Sequence, residues 1–346
     1  MSTVDEQPVL AESTVCAACG LPVNEQAKGT LLCGPCRSQF IAYPIPVALK
    51  IFGGLLLCVL LFSLLTLPKN IQTGIHYKRG LVALEKKNFM TAETEFNTVL
   101  AKEPDYLDAR CRVLIASFYN HHFPVFISTS ESLENKKIED EELFTQMQSL
   151  VTRASSFFPK DSFVQIMQRY KMDTDSVPEP VYKAYLAAFP EDDFASSRLA
   201  GIFFQNEQYK EADSITNRLL QTDPFHYTSL VLKASMKREQ RQLDSSHYYL
   251  RRLLDANHQD VVALSSSVRT LLKEKKDAEA LALAKEAVAL DGTEAYALVS
   301  LAMAHHFNKD VRSRDAVLQQ LAKDTTAVGM LTYAQDVISG KESFRN

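Results

Sequence analysis

The sequence predicts a mostly α protein: a solenoid of helical hairpins that follows one long apolar helix, with a small cysteine-tied knob in front. Three observations predict it. Apolar and small residues recur at a fixed 34-residue step through the later part of the chain. An uncharged apolar run, Ile51–Leu67, stands ahead of them. Four of the six cysteines are gathered into two C-x2-C pairs before that run. With 11 Gly, 13 Pro and no Trp in 346 residues, the composition favours helices over a turn-rich β sandwich. A net charge of −4 offers no polycationic face, which argues against nucleic acid as the main partner.

The knob is built on Cys16-Ala17-Ala18-Cys19 and Cys33-Gly34-Pro35-Cys36, the two pairs set apart by a C-x13-C spacing. Each short pair presents two sulfurs from one tight turn, and four soft thiolates satisfy the tetrahedral demand of zinc. Gly20 and Gly34 stand where such turns favour positive φ. Residues 13–40 resemble a zinc ribbon, which makes Cys16, Cys19, Cys33 and Cys36 the ligands of one structural zinc ion with no open coordination position. Cys33-Gly34-Pro35-Cys36 also resembles the thioredoxin active-site tetrapeptide. The alternative reading is therefore a membrane-tethered thiol oxidoreductase using Cys33 and Cys36, although the apolar run that follows leaves no room for a βαβ unit. A third reading pairs the four cysteines as disulfides, if this end is extracytoplasmic. Cys111, in an otherwise apolar helical stretch, reads as a small core residue. Residues 1–12 read as a disordered N-terminus.

Leu, Ile, Val and Phe make up most of Ile51–Leu67. Their summed insertion preference is on the order of −4 to −7 kcal/mol. Extended back to Ile45, the run would span about 34 Å as a helix, so 45–67 is predicted to cross a membrane once. Orientation draws two arguments in opposite directions. Lys69, Lys78, Arg79, Lys86 and Lys87 favour a cytoplasmic carboxyl side, whereas a thiolate cluster favours a reducing compartment for the knob. The reading adopted places the knob in the cytoplasm and the repeat domain outside, on a bacterial cytoplasmic membrane.

The repeats begin with Gly80, Ala92, Phe96 and Pro104. Stepping by 34 from Ile166 gives Ala200, Ala234, Val268 and Ala302; parallel columns read Ala212, Ser246, Ala280 and Tyr185, Leu219, Leu253, Ala287, Leu321. This pattern resembles the tetratricopeptide repeat (TPR), in which small residues let two helices of a hairpin touch and proline ends the second. The resemblance implies a TPR-type array over 73–328, an insertion near 122–142, and a cap or tail at 329–346. Each hairpin leaves an apolar face that only the next can cover, so the units must stack.

The resemblance further implies that the first helix of each unit lines a groove. Transferred to this chain, the groove positions include Phe194, Phe204, Gln205, Arg238, Arg269, Lys273, Tyr296, Met303 and His306. Aromatic rungs around a basic middle suit a peptide carrying acidic groups. The chain has no GxxxxGK[ST], GxSxG or HExxH motif. The function expected is a membrane-anchored scaffold or assembly factor that binds a protein or peptide, not an enzyme; the oligomeric state is left open.

Overall fold

The computed structural model describes residues 15–23, 32–41, 45–174 and 176–345, without the side chains at 40, 41 and 64–70. The expected disordered segment 1–12 lies outside the described residues. The chain divides into two compact units, 1–70 and 71–346.

In the first unit Val15 and Pro22 form an isolated antiparallel bridge. It closes a knuckle in which Cys16 N–H donates to the Leu21 carbonyl (2.8 Å) and Gly20 N–H to the Cys16 carbonyl (2.9 Å). Gly20 takes φ +69°, the conformation for which glycine was expected there. Gly34 does not: it opens helix α1 (Gly34–Ile41), so the second knuckle is a helix start rather than a glycine turn. No strand is formed among the described residues, and the knob is a knuckle plus a helix.

Helix α2 (Val47–Glu85) is one 39-residue element. It starts just after the beginning of the predicted span and does not stop at Leu67, but runs through Pro68. The described apolar side chains of the run up to residue 63, among them Leu49, Phe52, Leu55, Val59 and Phe62, are exposed. Among the described residues no helix is long and apolar enough to cross a membrane; the described side chains of the run end at Ser63, short of the predicted end.

The second unit begins with the last turns of α2 and continues as α3 (Phe89–Lys102), α4 (Leu107–Tyr119), α5 (Phe123–Leu133), α6 (Glu141–Ala154), α7 (Asp161–Met167) and α8 (Glu179–Ala188). Four regular hairpins come next. They are α9 (Asp193–Gln205) with α10 (Tyr209–Thr222), α11 (Tyr227–Glu239) with α12 (Leu243–Ala256), α13 (Val261–Lys273) with α14 (Asp277–Leu290), and α15 (Ala295–Phe307) with α16 (Val311–Leu321). Helix α17 (Val328–Ser339) closes the series. The first helices start at Asp193, Tyr227, Val261 and Ala295, and the second at Tyr209, Leu243, Asp277 and Val311. Both series keep the step read from the sequence, and the result is a TPR-like solenoid. The predicted contact columns are buried: Ala200, Ala212, Ala234, Ser246, Ala280 and Ala302 lose all solvent contact.

The turns obey the same step. Lys87, His121, Glu207, Arg241, Lys275 and Lys309 all take positive φ between 54° and 64°, each at the hairpin turn. The helix end is tied as in a Schellman motif: His122 N–H donates to the Ser117 carbonyl (2.9 Å), and Gln208 N–H to that of Phe203 (2.8 Å). A left-handed non-glycine residue costs roughly 1–2 kcal/mol, so packing across each hairpin must outweigh it.

Gly80 supplies the close approach in the first hairpin. A Cβ there would meet ring atoms of the fully buried Phe96 at 2.7 Å. Gly80→Ala gains about 1 kcal/mol of helix propensity but forces the ring aside at roughly 1–3 kcal/mol. A net loss of about 1 kcal/mol in urea unfolding is expected, and it should shrink in a Phe96→Leu background, where the ring is gone.

The register breaks in a different place from the one predicted. Helix α5 is the regular partner of α4: it starts at Phe123, one repeat step after Phe89 opens α3, and Pro124 sits harmlessly in its first turn. Helix α6 keeps the same step from α4, Leu107 to Glu141, and is capped by Asp140 accepting from Leu143 N–H (2.9 Å). Its own second helix is reduced to a 3-10 turn at Ser155–Phe157, and α7 starts at Asp161. The offset is therefore a lost helix after 154, not an insertion at 122–142.

The array also closes on itself, which the sequence pattern does not announce. The His258 N–H donates to the Lys87 carbonyl (3.0 Å), and Lys87 Nζ donates to the Asp255 carbonyl (2.8 Å). Thr91 and Gln259 exchange two bonds, each 2.9 Å. The buried Asn257 donates to the Tyr119 carbonyl (3.0 Å) and to Asn120 Oδ1 (3.1 Å). Turns of the first two hairpins thus dock on the α12–α13 loop.

Candidate functional site

The sulfurs of Cys16, Cys19, Cys33 and Cys36 lie within 4.8 Å of one another, with Cys19 and Cys33 at 3.5 Å. Tetrahedral ligation at a Zn–S distance of about 2.3 Å separates sulfurs by about 3.8 Å, so the donor set fits such an ion. Hydrogen bonding, first from the Cys33 backbone, lowers the Cys16 thiol to about 6. Cys36 is pushed up to about 12, chiefly by its contacts with the sulfurs of Cys33 and Cys19. Crowded sulfurs that cannot all ionise are the environment a divalent cation relieves. When bound, zinc would tie the knuckle to α1. Cys33 and Cys36 of the thioredoxin-like tetrapeptide share this cluster with Cys16 and Cys19.

On the inner face of the array the predicted groove residues separate into two groups. Met303 and Phe194 are buried in core clusters. They pack the hairpins, and their burial helps to join successive units. Phe204 is half-buried against Tyr209 (6.0 Å between ring centres). Gln205 is exposed and His306 half-buried. Phe194 and Gln205 also border a cavity of about 400 Å³ with Phe123, Phe157 and Arg198.

The three basic residues are buried and already partnered. Arg238 and Arg269 are 4% and 8% exposed, and Lys273 is 7% exposed. Arg238 donates to Glu239 (3.1 Å) and to Ser266 Oγ (2.8 Å); Lys273 Nζ donates to Glu239 (2.6 Å). Arg269 donates to Ser300 Oγ (3.1 Å) and lies 3.9 Å over the Tyr296 ring. Burial pushes the Glu239 carboxyl up, but Arg238 and Lys273 outweigh it and hold it below its usual range. Tyr296 is half-buried; burial raises its phenol, and Arg269 and Arg238 bring it below the usual value. These cations stitch neighbouring first helices together: Arg238 and Lys273 share the Glu239 carboxylate, and Arg269 is held by the Ser300 hydroxyl and the Tyr296 ring. Glu239 was missed by sequence reasoning, although it stands one repeat step before Lys273 with the opposite sign.

Beside the closure lies a larger, open cavity of about 970 Å³, lined by Phe89, Phe118, His121, Arg153, Phe157 and Tyr227 among others. The His121 ring packs 3.5 Å from Tyr227 and also meets Phe157 (5.5 Å). Burial, then His122 and Arg153, hold its imidazole down at about 3. Its folded pKa lies below the unfolded value, so the stability it contributes is full above about pH 6.5 and is lost as pH falls from there towards 3. His122 works in the other direction: its bond to Glu93 (3.0 Å) raises it, so its contribution is present below about pH 6.5 and fades at higher pH. Both rings are half-buried, but His121 carries the larger shift and dominates. Acidification from about pH 7.5 to 5 is expected to cost about 1–2 kcal/mol of stability, and His121→Leu should flatten that dependence in thermal melts.

No protein-family model matches the sequence, and no curated protein matches it. Solved structures align with the chain at low identity. A tetratricopeptide repeat protein from Parabacteroides merdae aligns at 11% identity over 78% of this chain and 99% of its own, with a TM-score of 0.43. YrrB, a TPR protein with an unusual peptide-binding site, aligns at 16% identity over 60% of this chain and 97% of its own, with a TM-score of 0.33. The TPR2AB domain of yeast Sti1, in complex with pHSP90, aligns at 11% identity over 78% of this chain and 97% of its own, with a TM-score of 0.27.

Proposed function

We propose that the chain is a single-pass membrane-anchored interaction scaffold. Its repeat array binds a protein or peptide, and its four-cysteine knob holds one structural zinc ion on the other side of the membrane. The observation that carries this reading is the constant stride of the hairpins, which lays successive first helices side by side as one recognition face. Support for the anchor comes from the apolar run of the sequence, its uninterrupted helical backbone, and the exposure of its described apolar side chains. An uncharged apolar run without a polar face is stable in hydrocarbon and costly in water. The knob is assigned to the cytoplasm, where thiolates persist, and the array to the outside of a bacterial cytoplasmic membrane.

The test is crosslinking of the full chain in membranes, followed by identification of what co-purifies, beside a chain reduced to residues 1–70. A discrete protein captured by the full chain alone supports the scaffold. Recovery of both chains in the soluble fraction removes the anchor, and identical capture by both removes the array as the binding element. Protease protection of 71–346 in intact cells decides the orientation.

A further inference from the structure

The hairpin ends of α13, α14 and α15 have an occupant, and it comes from this chain. After α17 the backbone turns at Gly340, in the left-handed conformation (φ +77°), and Glu342 N–H donates to the Asp336 carbonyl (3.0 Å). Phe344 is then 5% exposed. Its ring stacks on Phe307 (5.8 Å between centres, planes 29° apart), and Lys273 Nζ stands 4.9 Å from it. Arg345 forks onto the Asp277 carboxylate and lies 3.6 Å over Phe307. Lys273 and Phe307 end two first helices, α13 and α15, and Asp277 opens α14. The seat is therefore an aromatic slot beside a carboxylate, both carried on regular hairpins.

A segment that merely covers the last apolar surface needs only the phenylalanine. Arg345 does more, since its contacts are directional and reach a residue 68 positions away. Its Nε is nevertheless buried without a partner, so the fit is incomplete at that atom. We propose that Phe344-Arg345 is an intramolecular stand-in for the partner: the array recognises a protein segment carrying an aromatic residue followed by a basic one, which binds by displacing residues 341–345. This deepens the scaffold reading and rests on it. It also replaces the acidic-peptide preference, because the carboxylate of Asp277 faces the ligand while Arg238, Arg269 and Lys273 do not lack for partners.

The test uses a fluorescent peptide of residues 340–346, Gly-Lys-Glu-Ser-Phe-Arg-Asn, and the full chain in detergent. In the wild type the chain's own segment competes at an effective concentration in the millimolar range. The Phe344→Ala/Arg345→Ala variant is therefore expected to bind the peptide at least about 10-fold more tightly than wild type, and a peptide with alanine at both positions should bind neither. Equal affinity in the two chains, with the variant folded by circular dichroism, overturns the proposal. Should the variant unfold, hydrogen exchange of wild-type amides 341–345 decides: faster exchange under excess peptide supports displacement, and unchanged exchange overturns it. Dimers of the wild type that the peptide dissociates would give the seat to a second copy and overturn the commitment to a partner. Capture through another face of the array would survive any of these failures, so the scaffold reading stands or falls separately.

Discussion

Asn257→Leu is expected to open the closed array and to lower stability by about 2–4 kcal/mol, a large effect for one uncharged side chain. Asn257 is 2% exposed and sits at the centre of the closure. Its amide donates to the Tyr119 carbonyl and Asn120 Oδ1, and its own oxygen accepts from Gln259 N–H (3.0 Å). Leucine keeps the branched shape but leaves these groups buried and unpaired, at roughly 1–3 kcal/mol for each buried polar group left without a partner. Asn120 in turn donates to Glu93 (2.6 Å), which also holds His122, so the loss spreads through a connected network. The urea midpoint should fall and small-angle scattering should report a larger radius of gyration. Asn206→Leu, on an exposed turn, should stay within about 0.5 kcal/mol. An unchanged midpoint for Asn257→Leu would mean that the closure contributes nothing.

The second large effect concerns the knob. Structural zinc sites in small peptides carry apparent binding free energies of about 10–16 kcal/mol, so metal and fold are lost together. One zinc per chain is expected by elemental analysis, with four thiols protected from titration until a chelator is added. Cys16→Ser should release the metal and expose the remaining three. The array should not notice, because it has its own core: Phe96, Leu114, Phe118 and the buried columns of α9–α16 belong to residues 71–346. A thermal transition of the array that moves with the chelator would contradict that independence. Four thiols that titrate freely in the untreated protein would remove the metal.

The stacked hairpins were legible because one physical requirement repeats: helices that touch need small residues at the contact, and the requirement recurs in every unit. Ala200, Ala234 and Ala302 are buried for that reason. The cysteine cluster was legible for a similar reason, since tetrahedral chemistry demands a fixed set of donors. What escaped was set by geometry over long separations. Nothing local marks Asn257 as the partner of Tyr119, 138 residues away. The lost helix after α6 was hidden because its neighbours keep ordinary helical composition, and Pro124 offered a false place for the break. The basic residues misled for another reason. Arg238, Arg269 and Lys273 occupy groove positions, but a charge in a column can be held by a neighbouring unit as readily as by a ligand: Glu239 takes Arg238 and Lys273, and Ser300 takes Arg269.

Site-specific photo-crosslinking in membranes tests the recognition face most directly. A photoreactive residue at Gln205 or His306, on first helices, should trap one discrete protein band. The same residue at Arg251, exposed on the outer second helix α12, should trap none. Capture from Arg251 alone, or from all three positions equally, would contradict a scaffold that binds through its inner face.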